Sequence, residues 1–145
     1  MEYLPKLIII CFANYCRSPV AEKIMSKMLK GRYSVSSRGI GLFSATNMDK
    51  RSISYLNSIG IENTLHLPTQ IKSSEISDSE LILAMDMHIL MELNKKFIPH
   101  QKKIKLFNLH CPSKLTNDPI SMNSEGYSDV MKNIYDICYD LEKRL

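Results

Sequence analysis

Apolar positions in this chain fall into runs and stripes that alternate along its length. Leu7-Ile8-Ile9-Ile10 leads straight into Cys11, and this block predicts a strand from Lys6 to Cys11. After Ser18-Pro19 the spacing changes. Val20, Ile24 and Met28 recur every fourth residue with Ala21, Met25 and Leu29 alongside, an amphipathic helix that Gly31 ends. Tyr33 to Ser37 alternates between two glycines and reads as a short strand, followed by an irregular loop from Gly39 to Asn47. Asp49 begins a helix with Tyr55, Leu56 and Ile59 inward, closed by Gly60. Ser79 to Met85 is nearly all apolar, as expected of a parallel strand buried on both faces. Helical spacing returns from Met87 to Phe97 and stops at Pro99; Ile104 to Asn108 predicts a fourth strand. A long polar loop, His110 to Ser124, precedes a last helix from about Gly126, with Val130, Ile134, Ile137 and Leu141 on one face. Strands alternating with helices predict an α/β fold: a single-domain three-layer sandwich over residues 1–145, its four-stranded parallel sheet covered by helices on both faces.

In such sheets ligands bind beyond the carboxyl ends of the strands, where Cys11 lies. The residues that follow it, Phe12-Ala13-Asn14-Tyr15-Cys16-Arg17, form a short loop into the first helix. Ser18 suits the N-cap and Pro19 the first helical position, where a missing N–H costs nothing. A loop ending at a helix N-terminus aims N–H donors and the positive end of the dipole into one space, which favours an anion. In that field Cys11 should ionise readily, and the thiolate is the nucleophilic form. Arg17 adds a fork able to grip two oxygens of a tetrahedral oxyanion. A thiolate held against a cradled phosphate suits phosphoryl transfer through a phosphocysteine. Cleaving a phosphate ester also requires a proton for the leaving oxygen. Asp118, extended by Pro119 in a loop beyond the fourth strand, is the right kind of group, although Asp-Pro is also a common turn pair.

Composition narrows the setting. The chain is 44% hydrophobic and 23% charged, as in a globular protein, and its longest apolar run is too short to span a bilayer. That run is preceded by one Lys and lacks a small-residue cleavage site, which argues against a secretory signal. Four irregularly spaced cysteines (Cys11, Cys16, Cys111, Cys138) do not form a disulfide framework and suit a reducing cytoplasm. The net charge of +4 is mild, and the lysine cluster over 95–105 reads as a solvated face, not a nucleic-acid site.

The run C-F-A-N-Y-C-R-S-P-V-A-E near the N-terminus resembles the low-molecular-weight protein tyrosine phosphatases. The resemblance extends over most of the chain. It implies Cys11 as nucleophile, Arg17 as phosphate clamp and Asp118 of Asp118-Pro119 as acid then base. The N–H groups of Phe12, Ala13, Asn14, Tyr15, Cys16 and Arg17 would cradle phosphate. Asn14, Ser18 and Ser37 match residues that hold the loop in shape, and Asp86 matches a structural Met-Asp. Asp49-Lys-Arg51 and His66-x3-Gln70 match more loosely. Cys16 matches a partner that can form a reversible disulfide with the nucleophile. No metal or cofactor is expected. The implied partner is a tyrosine-phosphorylated protein, a bacterial-type tyrosine kinase being one candidate, with no nucleic acid or membrane span; a monomer or weak dimer is expected.

Two departures bear on substrate. Ala13 replaces a usual glycine, a small change. Ile120 replaces a usual aromatic after Asp-Pro, giving up ring contact of roughly 0.5–1.5 kcal/mol. Phe12, Tyr15 and Phe43 are the aromatics able to compensate. Tyr15 stands where an arginine-dephosphorylating subgroup has a small threonine, which argues against that activity. The alternatives are a thiol-dependent arsenate reductase, for which no closely spaced cysteine pair exists beyond residue 16, and a phosphate-binding module without catalysis, against which Cys11, Arg17 and Asp118 together speak.

Overall fold

A computed structural model describes residues 3–145. Its elements in chain order are β1 (Lys6–Cys11), α1 (Ser18–Met28), β2 (Ser34–Gly39), α2 (Lys50–Ser58), α3 (Ser73–Asp78), β3 (Leu81–Ala84), α4 (Met87–Lys96), β4 (Ile104–Leu106) and α5 (Ser124–Arg144). The four strands form one parallel sheet in the order β2-β1-β3-β4. The expected fold is therefore the observed one, with β1 central and its C-terminal end beside those of β2 and β3.

The period-2 alternation of β1 divides the core. Leu7, Ile9 and Cys11 face a layer built by α1, α2 and α5, including Val20, Met25, Leu56, Ile134 and Ile137. Ile8 and Ile10 face the opposite layer, with Ile76 of α3 and Ile89 and Leu93 of α4. Both faces of the central strand are thus buried, and its register is determined on two sides at once.

Several boundaries differ from expectation for local reasons. α1 begins at Ser18, with Arg17 as its flanking residue and no side-chain cap. The Ser18 hydroxyl is engaged elsewhere, by Cys11 and Asn14. α5 starts at Ser124, two residues before the expected Gly126, because the Asn123 side chain accepts the Gly126 N–H at 2.8 Å. Pro99 lies inside a 3-10 turn (Ile98–Lys103), and β4 ends at Leu106, short of Asn108. The one-and-a-half-turn α3 went unpredicted. A single buried residue, Ile76, anchors it, too little to show a helical stripe.

Candidate active site

Residues 12–17 connect β1 to α1, and among the described residues the backbone N–H groups from Phe12 to Arg17 find no hydrogen-bond partner in the protein. Backbone donors inside a protein are ordinarily paired, so a run of six without protein partners leading into an uncapped helix start is a place suited to an anion. Cys11 sits at its edge, 2% exposed, with Sγ 2.9 Å from Ser18 Oγ. Either atom can donate in that pair.

The loop is held by side chains that it buries. Asn14 has φ 55°, the one positive φ at a non-glycine position among the described residues. Asn tolerates this conformation better than most residues, and here its side chain is fully used. Its Nδ2 donates to Ser18 Oγ (2.9 Å) and Ser37 Oγ (3.0 Å), and its Oδ1 accepts the Thr69 N–H (2.9 Å). Ser37 Oγ donates in turn to Glu22 Oε1 at 2.8 Å. His66 Nε2 lies 2.8 Å from the Asn14 carbonyl oxygen, and burial pushes its ring below the ordinary value. Gly39 allows the close approach: a Cβ there would lie 2.7 Å from the Phe12 carbonyl oxygen.

Arg17 is 2% exposed. Its Nη1 donates to Asp86 Oδ2 (2.6 Å) and to the Thr116 carbonyl (2.8 Å). Asp86 is itself fixed, because its Oδ1 caps α4 through the Ile89 N–H. Thr116 Oγ1 donates to the Met85 carbonyl. One corner of the guanidinium is thereby anchored, while Nε and Nη2 have no protein partner among the described residues. A buried cation held in this way can present its remaining donors to an oxyanion without reorganising.

Cys11, Ala13, Tyr15, Cys16, Arg17, Asp118 and Ile120 line one small cleft. Residues more than a hundred positions apart are therefore gathered around one point. A roomier depression of about 210 Å³ lies between β2 and α3, but its Arg38 and Glu75 are paired with each other and no cysteine lines it. Asp118 is exposed, and its Oδ1 accepts the Ile120 N–H at 3.2 Å, a local turn that orients the carboxyl. Tyr15 stacks on Phe43, ring centroids 4.7 Å apart and tilted by 53°. The Phe12 ring instead packs over Gly41 and is not among the cleft-lining side chains. Of the three aromatics expected to compensate for Ile120, Tyr15 lines the cleft with Phe43 packed against its ring, and Phe12 lies outside the lining.

All four cysteines are free. Cys16 Sγ lies 4.0 Å from Asp49 Oδ2, and burial pushes its thiol up to about 12. Cys138, on the inner face of α5, is fully buried, its thiol raised by desolvation.

Sequence reasoning gave no role to His66, Thr116, Glu22 or Arg51. Each acts through a contact 15 or more positions away in the chain, which spacing cannot show. The looser matches at Asp49-Lys-Arg51 and His66 were the only available signal.

The profile of the family described as low molecular weight phosphotyrosine protein phosphatase matches residues 6–145. The chain is 30% identical to low molecular weight phosphotyrosine protein phosphatase 1 of Drosophila melanogaster, over 92% of each chain. It is 28% identical to the low molecular weight phosphotyrosine protein phosphatase of Schizosaccharomyces pombe, over 97% of this chain and 96% of that one. Among solved structures, Vibrio vulnificus Wzb in complex with benzylphosphonate superposes with a TM-score of 0.90 at 24% identity, covering 99% of this chain and 100% of the other. These relatives do not favour the arsenate reductase alternative. The chain belongs to the low molecular weight phosphotyrosine protein phosphatase family.

Proposed function

We propose that residues 1–145 act as one catalytic domain that hydrolyses phosphotyrosine in proteins, with Cys11, Arg17 and Asp118 carrying the chemistry. The observation that carries this reading is the run of backbone N–H groups from Phe12 to Arg17 without a protein partner, in a loop whose Ala13, Tyr15, Cys16 and Arg17 line one cleft with Cys11 and Asp118. In the first step the Cys11 thiolate attacks phosphorus, the P–O ester bond breaks, and Asp118 gives its proton to the departing phenolic oxygen. In the second step the Asp118 carboxylate takes a proton from water, whose oxygen attacks phosphorus. The P–S bond breaks, releasing inorganic phosphate and the thiolate. The N–H cradle and the free edge of Arg17 bind the three equatorial oxygens, which flatten into a plane and carry the charge in the transition state.

Tyr15 and Phe43 supply an aromatic wall for the ring of the substrate, with Ile120 opposite. The bulk of Tyr15 favours a flat aryl ester over a phosphorylated guanidinium. Cys16 is the candidate resolving thiol should Cys11 be oxidised. The partner of best chemical fit is a tyrosine-phosphorylated protein, such as a bacterial-type tyrosine kinase, in the cytoplasm, where four unpaired cysteines persist. No helix among the described residues is long and apolar enough to cross a membrane.

The test compares Cys11→Ser and Asp118→Ala with the parent chain on phosphotyrosine, phosphoserine and phosphoarginine peptides. Cys11→Ser is expected to abolish turnover with the fold intact, and Asp118→Ala to lower it by about 10²- to 10⁴-fold. Undiminished turnover by Cys11→Ser, or a preference for phosphoarginine, would overturn the reading.

A further inference from the structure

The cleft is built from two chain segments, the anion loop (residues 12–17) and the loop that carries Asp118, with no backbone–backbone hydrogen bond between them among the described residues. Besides the Arg17 bond to the Thr116 carbonyl, an ion pair links them. Asp49, at the N-cap of α2, donates its N–H to the Tyr15 carbonyl (3.0 Å) and receives Arg51 on both carboxylate oxygens, Nε on Oδ1 and Nη2 on Oδ2, each at 3.0 Å. The other side of the same guanidinium faces the acid's loop. Nη2 donates to the Ile120 carbonyl at 3.1 Å and Nη1 to the Met122 carbonyl at 3.3 Å. The plane of the group lies over the Tyr127 ring, Cζ 4.1 Å from its centroid. Tyr127 is anchored beneath: its hydroxyl is 2.6 Å from Ser52 Oγ, which donates to the Cys16 carbonyl.

We infer that Arg51 is the positioning residue for the general acid: it sets where Asp118 stands relative to the Cys11 sulfur by tying the Ile120 and Met122 carbonyls to the Asp49 carboxylate. The inference rests on the phosphatase reading given above and extends it to a residue that touches neither substrate nor phosphate. An isolated, partly exposed Arg–Asp pair would carry little weight. Here the planar fork has a carboxylate on one edge, two carbonyls on the other and an aromatic face below, an arrangement that an ammonium cannot reproduce. Asp118 is bonded within its own loop only to the Ile120 N–H, and the Ile120 carbonyl is the next polar group along, so displacing that carbonyl displaces the acid. A 1 Å displacement of a catalytic group is enough to cost much of its contribution.

The test measures kcat/KM for a series of aryl phosphates, from 4-nitrophenyl phosphate to phenyl phosphate and a phosphotyrosine peptide, in the parent chain, Arg51→Met, Arg51→Gln and Arg51→Lys. A good leaving group departs without a proton and a poor one does not. Arg51→Met and Arg51→Gln are expected to lose about tenfold or more on phenyl phosphate and phosphotyrosine, and several-fold less on 4-nitrophenyl phosphate. The alkaline fall of the pH profile for phenyl phosphate flattens with them, while inhibition by inorganic phosphate stays unchanged because the N–H cradle is intact. Arg51→Lys retains the charge without the two-sided reach and falls in between. A uniform loss across the esters, or one accompanied by weaker phosphate inhibition, would assign Arg51 a merely structural role and overturn the inference while leaving the phosphatase reading in place. A parent chain inactive on every ester overturns both.

Discussion

Gly39 shows how little room the anion loop has. A methyl group there would lie 2.7 Å from the Phe12 carbonyl oxygen and 3.0 Å from both the Ala13 carbonyl carbon and the Asn14 nitrogen, all rigid backbone. Gly39→Ala is therefore expected to cost roughly 1–3 kcal/mol of stability by overpacking. It should also weaken inhibition by inorganic phosphate, because the donors of residues 12–14 must shift; urea unfolding and inhibition assays check the two effects. Ile120 acts at the opposite rim. Ile120→Tyr adds a ring facing the Tyr15–Phe43 wall, and kcat/KM on phosphotyrosine relative to a phosphate ester of a simple alcohol should rise about two- to tenfold, the equivalent of roughly 0.5–1.5 kcal/mol.

Among the elements, those that sequence made legible share one property: a local pattern that coincides with a tertiary role. Leu7 to Cys11 is apolar because both layers need it, and the Ser-Pro start marked α1 to within one residue. The Cys-x5-Arg spacing likewise reports a loop whose nucleophile, backbone donors and clamp all lie in one short run of chain. What escaped has no local signature. α3 buries only Ile76, and residues 61–72 have no regular structure beyond an isolated parallel bridge from Gln70 to Gly39. Yet that segment supplies Thr69 and His66 to Asn14. The Ser18 cap was misplaced for a related reason. Cap preferences count the hydroxyl as available to the helix, whereas here it is committed to Cys11 and Asn14, which leaves the helix donors for a ligand. A buried network takes precedence over a propensity worth about 1 kcal/mol.

Across the whole molecule, His66 couples the site to solution pH. Burial holds its ring below the ordinary 6.5, so the unfolded chain binds the proton more readily than the folded one. The sign follows: its contribution is intact above about pH 6.5 and declines as pH falls below that. Asp49 is also held below its ordinary value, chiefly by Arg51, but its contribution is present above pH 3.8 and is lost only on further acidification. The two effects therefore occupy separate ranges. The thermal midpoint should decline between about pH 7 and pH 5 in the parent chain, and less steeply in His66→Gln, as followed by circular dichroism.

The anchoring of Arg17 has a kinetic corollary. Its partners Asp86 and Thr116 are 69 and 99 residues away, and Thr116 belongs to the loop that follows the last strand. Loops of that span close late in folding, after helices and neighbouring strands have formed. The contacts that fix Arg17 are therefore expected to form after α1 and its neighbouring strands. Diluted from denaturant, the chain should recover helical circular dichroism ahead of phosphatase activity, and the lag should lengthen in Thr116→Val, which removes the hydroxyl that ties this late segment to the Met85 carbonyl. Incompletely folded copies would then be silent, with no premature or unselective dephosphorylation.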